Sequence, residues 1–197
     1  MQLVFATNNL NKIKEVQALM PKHITLLSLE DIGCFEDIPE TQNSIRGNAI
    51  QKAEFVKNRY GYDCFADDTG LEVDALDGEP GIYSARYAGE QRNANDNMNA
   101  LLEALGDNPN RSAHFKTVMA LQIKNEQHVF IGICEGEITA SKQGENGFGY
   151  DPIFKPNGYD KTFAEMNLQL KNTIGHRGKA VSQLVGFLNS YNTKKLI

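Results

Sequence analysis

The stretch Cys64-Phe65-Ala66-Asp67-Asp68-Thr69-Gly70-Leu71-Glu72-Val73 decides the fold of this chain. A short apolar run leads into two carboxylates, a hydroxyl and a glycine, and a second strand-like run follows at once. This pattern predicts strand, tight turn and strand, with Asp67 and Asp68 at the turn. Adjacent carboxylates repel each other, so a packed turn with two of them indicates a cation or a shared proton. A solvated turn in which an Asp bonds its own backbone explains the same residues.

The segments around this stretch alternate between strand and helix patterns. Predicted strands lie at residues 3–6, 24–29, 113–123 and 129–139, the last two as an antiparallel hairpin. Predicted helices lie at residues 12–20, 44–60, 95–105 and 179–191. Strand–helix–strand units combined with a long hairpin predict an α/β fold with a mixed, twisted β-sheet flanked by helices.

Composition excludes several classes of function. The 197-residue chain has a net charge of −5, so no overall basic field attracts nucleic acid or an anionic membrane. Any phosphate-bearing ligand must therefore meet a local basic pocket, a bound divalent metal, or both. Cys34, Cys64 and Cys134 form no Cys-x-x-Cys pair, which indicates reduced thiols. No export signal or membrane span is visible, and we expect a cytoplasmic protein.

The segment Thr7-Asn8-Asn9-Leu10-Asn11-Lys12 links the first predicted strand to the first predicted helix. Backbone N–H groups at a helix start, together with the helix dipole, favour an anion, and Lys12 adds a positive charge. The segment has no glycine, so it is not the Gly-x-x-x-x-Gly-Lys phosphate loop. An Asn-rich helix N-cap explains the same residues when the segment is taken alone.

Glu40, Asn48 and Lys52 form a second candidate group. Asn48 and Lys52 are four residues apart and therefore share one helix face, with Glu40 just upstream. A carboxylate, an amide and an ammonium could converge there on one ligand. A solvated helix face explains the same spacing.

Residues 144–152 form a glycine-rich loop that indicates a binding site. Glycines on both sides of Phe148 allow the backbone to approach a flat ligand, and the ring is available to stack. Asp151 precedes a proline and is therefore predicted to be extended.

Residues 171–179 form a fourth candidate, directly before the last predicted helix. His176 and Arg177 are donors at a helix start, where an anion or a carbonyl oxygen would bind. The number of donors in this stretch favours a binding role over indifferent surface charge.

Taken in order, seven blocks of the chain resemble the inosine triphosphate pyrophosphatase family. The blocks are Thr7-Asn8-Asn9-x-x-Lys12, Glu40-Thr41, Asn48-Ala49-x-x-Lys52-Ala53, Ala66-Asp67-Asp68-Thr69-Gly70-Leu71, Pro80-Gly81-Ile82-Tyr83-Ser84-Ala85-Arg86, Gly147-Phe148-Gly149-Tyr150-Asp151-Pro152 and His176-Arg177-Gly178. They span nearly the whole chain, and their order makes the resemblance highly specific.

The resemblance implies one pyrophosphatase domain over residues 1–197, with two lobes, a long mixed sheet and the active site in the cleft between the lobes. It also implies a homodimer that depends on Mg²⁺. The implied reaction is the hydrolysis of non-standard purine nucleoside triphosphates (ITP, dITP and XTP) to the monophosphate and pyrophosphate. Removing such nucleotides from the nucleotide pool is the role that this activity implies.

Roles for individual residues follow from the resemblance by position. Asp68 would be the general base and a metal ligand, with Asp67 and Glu40 supporting the metal. The implied substrate-binding residues are Thr7, Asn8, Asn9, Leu10, Asn11, Lys12 and Lys52 for the triphosphate, Thr69, Phe148, Gly149, Tyr150, Asp151 and Lys171 around the nucleoside, and His176 with Arg177 for the base. Neighbouring strand residues point to opposite sides, so we expect only one Asp of the pair, Asp68, to face the attacking water.

Two other functions fit parts of the sequence. A nucleotide-binding or sensing module would use the same pocket without turnover, but a passive phosphate site gains nothing from acids unless it needs a metal. A homodimeric aspartic protease would use Asp68-Thr69-Gly70 from each chain. In that protease Asp67 would crowd the pair with extra charge, and the donor-rich loops would have no role.

Overall fold

The structure is a computed structural model that describes residues 1–193. Its strands are β1 (Gln2–Phe5), β2 (Thr25–Leu27), β3 (Cys64–Val73), β4 (Ser112–Ile123), β5 (Glu126–Ile138) and β6 (Phe154–Pro156). Its α-helices are α1 (Leu10–Gln17), α2 (Ile45–Tyr60), α3 (Ala94–Leu105), α4 (Leu168–Ile174) and α5 (His176–Thr193). Short 3₁₀ turns connect several of these elements. In the described part of the chain, no helix is long and apolar enough to cross a membrane.

All six strands belong to one sheet with the order β2-β1-β3-β4-β5-β6. β1 pairs in parallel with both β2 and β3, whereas β5 and β6 pair antiparallel. Parallel and antiparallel pairs therefore occur in the same sheet, and helices flank it. The predicted α/β class with a mixed sheet is confirmed.

The predicted turn at Asp67 and Asp68 is wrong. β3 runs without interruption from Cys64 to Val73, and both carboxylates lie inside the strand. β3 has a neighbouring strand on each side, β1 and β4. β1 pairs with β3 at Cys64 and Phe65. Extended backbone lets the buried N–H and C=O groups of a strand within a sheet bond to its neighbours, and this outweighs the local turn preference of Asp-Thr-Gly.

Helix limits also differ from the prediction. α1 begins at Leu10 because the Asn9 side chain accepts hydrogen bonds from the Asn11 and Lys12 backbone N–H groups, which is an N-cap. α5 begins three residues earlier than predicted, and the seven-residue helix α4 was not predicted. By contrast, α2 follows the prediction closely: Ser44 caps its start, and Gly61 ends it in the left-handed conformation.

The chain divides into two compact units. The first unit comprises residues 1–68, 117–132 and the chain from 177 onward, and the second comprises residues 69–116 and 133–176. The first core includes the rings of Phe5 and Phe65, stacked with centroids 4.5 Å apart, and the apolar face of α5. The second core includes Phe115, Phe154 and Phe163. Each unit thus has a core of its own.

Candidate active site

Asp67 lies at the centre of a buried group of charges in the first unit. Its carboxylate is fully buried and accepts hydrogen bonds from Lys12 Nζ on Oδ1, at 2.9 Å, and from Arg177 Nε on Oδ2, at 3.1 Å. Lys12 is in the first turn of α1 and Arg177 in the first turn of α5, so β3 and two helix starts meet at one carboxylate.

Glu15 completes this group and was not singled out from the sequence. Arg177 Nη1 donates to Glu15 Oε2 at 2.5 Å, and Glu15 is 5% exposed. The guanidinium of Arg177 is therefore fixed by two carboxylates, one from α1 and one from β3. The sequence carries no signal for this role, because Glu15 resembles an ordinary charged residue of an amphipathic helix and its partner Arg177 lies 162 residues away.

Asp68 joins a different group, because successive strand residues point to opposite faces. Lys52 Nζ lies 3.2 Å from Asp68 Oδ1 and 2.5 Å from Glu40 Oε1. The side chains of Lys52, Asp68 and Glu40 are 8%, 13% and 33% exposed, so the group reaches the surface. The sequence left open whether Glu40 and Lys52 converge on a ligand or lie on a solvated helix face, and the structure places their side chains in direct contact.

The two adjacent carboxylates differ in acidity. Burial favours the neutral form of Asp67, but Lys12 and Arg177 outweigh it and hold the pKa of that carboxyl well below its usual range. For Asp68 the effect of burial is stronger than the attraction of Lys52, and its pKa is raised. A raised pKa moves a carboxylate towards the range in which it can accept a proton during a reaction.

The pKa values of Lys12 and Lys52 are shifted in opposite directions by their surroundings. Burial lowers the pKa of Lys12 more than Asp67 raises it. Burial would lower the pKa of Lys52 as well, but Asp68 and Glu40 outweigh it, and the pKa is raised. The Lys52 amine therefore stays protonated between the two carboxylates.

The loop before α1 contains two side chains that bond the backbone and several side chains that are exposed. Thr7 Oγ1 accepts a hydrogen bond from the Asn9 backbone, and Asn9 Oδ1 caps α1. Leu10 is 78% exposed, and Asn8 and Asn11 are also exposed. The N-cap interpretation of Asn9 is confirmed, and the predicted contacts of this loop with phosphate stay predictions.

Asn48 is a buried residue of α2 that bonds the protein backbone. It is 3% exposed, and its Oδ1 accepts a hydrogen bond from the backbone N–H of Gln42 at 2.9 Å. Its side chain thus serves the segment that carries Glu40.

Several predicted nucleoside-binding residues meet in the second unit. Asp151 Oδ2 accepts hydrogen bonds from Lys171 Nζ, at 2.5 Å, and from the Phe148 backbone, at 2.7 Å. Asp151 and Lys171 are both buried. Lys171 Nζ also lies over the rings of Phe148 and Phe163, 4.9 and 5.5 Å from their centroids. The glycine-rich loop therefore brings an aromatic ring, an acid and an ammonium together.

Other residues of the second unit support this group. His176 is 3% exposed, and its ring stacks on Phe115 with centroids 4.4 Å apart. Gly147 has φ +76°, and a Cβ added there would collide with the Asp151 carboxylate, so only glycine fits. The Tyr150 hydroxyl donates to the Ser84 carbonyl at 2.9 Å. Thr69 and Gly149 are half-buried.

Carboxylates that could hold a divalent cation are present in pairs. Within residues 1–193, no group of three or more His, Cys, Asp or Glu side chains is arranged to hold a metal ion. Mg²⁺ is commonly bound through one or two carboxylates together with phosphate oxygens of the substrate. Glu40 and Asp68 both contact Lys52, and their predicted role as metal ligands stays a prediction. Both oxygens of Asp67 receive a cation already, and its predicted support of the metal stays a prediction.

The chain is similar to known sequences over nearly its whole length. The sequence profile of the Ham1 family matches residues 3–187. A protein of Flavobacterium johnsoniae named dITP/XTP pyrophosphatase is 67% identical over 96% of this chain and 99% of its own length. A protein of Porphyromonas gingivalis with the same name is 52% identical over 95% of this chain and 97% of its own length.

Solved structures show the same architecture. The Ham1 protein of Staphylococcus aureus has a TM-score of 0.89 and 40% identity, and the match covers 97% of this chain and all of that one. A structure from Mycobacterium abscessus, titled nucleoside-triphosphatase / dITP/XTP pyrophosphatase, has a TM-score of 0.76 and 38% identity. That match covers 94% of this chain and 99% of the other.

Proposed function

Because the chain belongs to the Ham1 family, we propose that it hydrolyses non-standard purine nucleoside triphosphates (ITP, dITP and XTP) to the monophosphate and pyrophosphate. The observation that carries this proposal is 67% identity, over 96% of the chain, to a protein named dITP/XTP pyrophosphatase. Such a reaction removes these nucleotides from the pool of nucleic acid precursors.

The carboxylate group around Lys52 supports a general-base mechanism. Water attacks the triphosphate, the anhydride bond between the α- and β-phosphates breaks, and pyrophosphate leaves with the bonding electron pair. Asp68 accepts the proton of that water, and its raised pKa suits the task. Lys52 keeps Asp68 and Glu40 oriented through its hydrogen bonds to both carboxylates, at 3.2 and 2.5 Å.

Positive groups of the first unit are proposed to hold the triphosphate. Lys12 and Lys52 supply the charge, and the loop at residues 7–11 supplies N–H and side-chain donors. Mg²⁺, held by Glu40 and Asp68 with support from Asp67, would neutralise phosphate charge and help to position the attacking water.

The group around Asp151 is proposed to bind the nucleoside. The Phe148 ring offers a face for stacking, and Lys171 and His176 are donors for a purine carbonyl. Arg177, which the resemblance implies for the same role, lies in the first unit, where Asp67 and Glu15 hold its guanidinium. A donor aimed at the 6-position accepts hypoxanthine or xanthine and meets the amino group of adenine badly, because two donors then face each other.

The proposal also includes the oligomeric state and the cellular location of the protein. We expect a homodimer in the cytoplasm, as the family resemblance implies. Light scattering coupled to size-exclusion chromatography measures the assembly directly, and a monomer at micromolar concentration would contradict this part.

A nucleotide panel tests the function. The protein is incubated with Mg²⁺ and each of ITP, dITP, XTP, GTP and ATP, and pyrophosphate and orthophosphate are measured separately. We expect pyrophosphate and the monophosphate from ITP, dITP and XTP, and much slower release from ATP. Guanine carries the same 6-carbonyl as hypoxanthine, so the rate with GTP measures how strongly the 2-amino group is rejected. Orthophosphate as the only primary product would refute the proposal. Tight binding of ITP without consumption over hours would favour a nucleotide-binding module instead.

A further inference from the structure

The segment that carries Glu40 lies along one face of α2, and its residues are matched in order by side chains of that helix. Lys52 Nζ contacts Glu40 at 2.5 Å. Gln51 forms a hydrogen bond with Thr41, the residue after Glu40. Asn48 forms one with Gln42, the residue after Thr41. The three partners on α2 therefore follow the three segment residues in reverse order.

Gln51 binds Thr41 through both atoms of its amide. Its Oε1 accepts a hydrogen bond from the Thr41 backbone N–H at 2.9 Å, and its Nε2 donates to Thr41 Oγ1 at 2.8 Å. One side chain thus holds both the backbone and the side chain of the residue next to Glu40. Two bonds to a single residue restrict its rotation as well as its position.

Asn48 and Gly47 hold the next part of the segment. Asn48 Oδ1 accepts from the Gln42 backbone N–H at 2.9 Å, and Asn48 is buried. A Cβ added at Gly47 would lie 2.7 Å from Gln42 Cβ, so the segment approaches the helix as closely as a glycine permits. Both contacts keep the segment against the first turns of α2.

Residues 41–44 are all exposed and contain no apolar side chain, so this arrangement adds little to the core. What it does fix is the backbone that carries Glu40, relative to the helix that carries Lys52. Ligand orientation by such neighbouring hydrogen bonds is a recurring requirement of carboxylate sites.

We propose that Gln51, assisted by Asn48, is a positioning residue that holds the Glu40 carboxylate beside Lys52 and Asp68 for the reaction. This inference rests on the proposed function, since Glu40 acts there as a ligand of the substrate-bound cation. Gln51 itself contacts neither substrate nor metal in this role; it acts through Thr41.

Gln51→Met tests the proposal, because it removes both hydrogen bonds and keeps the length of the side chain. We expect faster amide hydrogen exchange at Thr41, measured by NMR without nucleotide or metal. We also expect kcat/KM for ITP to fall about 10- to 100-fold, with a higher Mg²⁺ concentration needed for half-maximal rate. Asn58→Met is the matched control, since Asn58 is exposed on the same helix, and it should change neither measurement.

A second pair of variants covers the case in which Gln51→Met fails to fold. Thr41 is exposed, so its replacement leaves the core intact. Thr41→Val removes only the bond from Gln51 Nε2 and should give an intermediate loss of kcat/KM. Thr41→Ser keeps the hydroxyl and should restore the wild-type Mg²⁺ dependence.

The outcomes separate this inference from the proposed function. Unchanged amide exchange at Thr41 in Gln51→Met would show that Gln51 does not hold the segment that carries Glu40, and would overturn the proposal. Faster exchange with wild-type kcat/KM and Mg²⁺ dependence would overturn its role in the reaction while the proposed function stands. An inactive wild-type protein would instead refute the proposed function, and the amide exchange would still report whether Gln51 holds the segment.

Discussion

Asp67 and Asp68 are adjacent in β3 and bind different cations. Asp67 accepts from Lys12 and Arg177, at 2.9 and 3.1 Å, whereas Asp68 lies 3.2 Å from Lys52. Asp67 is fully buried, and the Asp68 side chain is 13% exposed. The alternation of a strand thus places one carboxylate of the acidic doublet in a fully buried group of charges and the other in a group that is partly exposed.

Asp68→Asn should abolish most activity and leave the fold intact. The change removes the proposed general base, and Lys52 keeps Glu40 as a partner, so no cation is stranded. We expect kcat to fall about 10²- to 10⁴-fold, the range in which general-base catalysis contributes. Pyrophosphate release from ITP and the thermal midpoint are measured together. A wild-type rate would refute the role of Asp68.

Asp67→Asn should mainly destabilise the protein. It leaves the buried Arg177 and the half-buried Lys12 with one negative partner fewer, and breaking a buried ion pair from one side costs about 3–5 kcal/mol. Urea unfolding at pH 7 measures the free energy of unfolding. Asp37→Asn is the control, because Asp37 is exposed, and it should change that free energy little. Equal stability of the two variants would contradict the assignment.

The loss of stability caused by Asp67→Asn should become smaller in acid. The pKa of Asp67 is lower in the folded state, so its contribution to stability is complete above the pKa of the unfolded chain, about 3.9. That contribution disappears as the pH falls towards the folded pKa. We therefore expect the difference in unfolding free energy between wild type and Asp67→Asn to shrink below about pH 4. A difference that stays constant from pH 7 to pH 3 would exclude the ionised Asp67 as its source.

Regular elements with strong periodicity could be predicted from the sequence. α2 has an apolar stripe, a serine cap and a terminal glycine, and both its limits were predicted to within one residue. The two long strands of the hairpin were also predicted, since alternation over eleven or more residues is a clear signal. Within the first unit, the sequence offered Glu40 and Lys52 as one candidate group but did not distinguish it from a solvated helix face, and only the structure shows their contact.

Features that depend on tertiary partners could not be predicted. The Asp-Thr-Gly sequence favours a turn locally, and only its place inside the ten-residue strand β3 of the sheet keeps it extended. α4 has seven residues, too few for a helical period to be recognised. Glu15 looks like any charged residue of an amphipathic helix until Arg177 is placed beside it. Sequence spacing carries no information on a partner 162 residues away.

Cys64 should be unreactive in the folded protein. Burial raises the pKa of its thiol to about 12, and its Sγ donates to the Ala53 carbonyl at 3.2 Å. At pH 8.5 the thiolate fraction is therefore negligible, and the thiolate is the reactive form. Iodoacetamide should leave Cys64 unmodified in buffer and modify it fully in urea, as read by mass spectrometry of the peptides. Rapid modification of the native protein would contradict the burial of this residue.

Lys171 and Asp151 allow a test that separates binding from folding. Lys171→Met removes the ammonium 2.5 Å from a buried carboxylate, and we expect a loss of about 3–5 kcal/mol in the free energy of unfolding. Asp151→Asn added to it removes the buried charge, and the double variant should regain much of that stability because the two side chains interact directly.

Activity should not follow stability in this pair. If Lys171 is a donor to the purine, the double variant still lacks that donor, and its kcat/KM for ITP should stay about 10- to 100-fold below wild type, the equivalent of one hydrogen bond to a charged group. Unfolding in urea and the rate with ITP are measured on the wild type and on both variants. Recovery of both stability and kcat/KM in the double variant would show that Lys171 only balances Asp151, and the base would then have to be recognised by other residues.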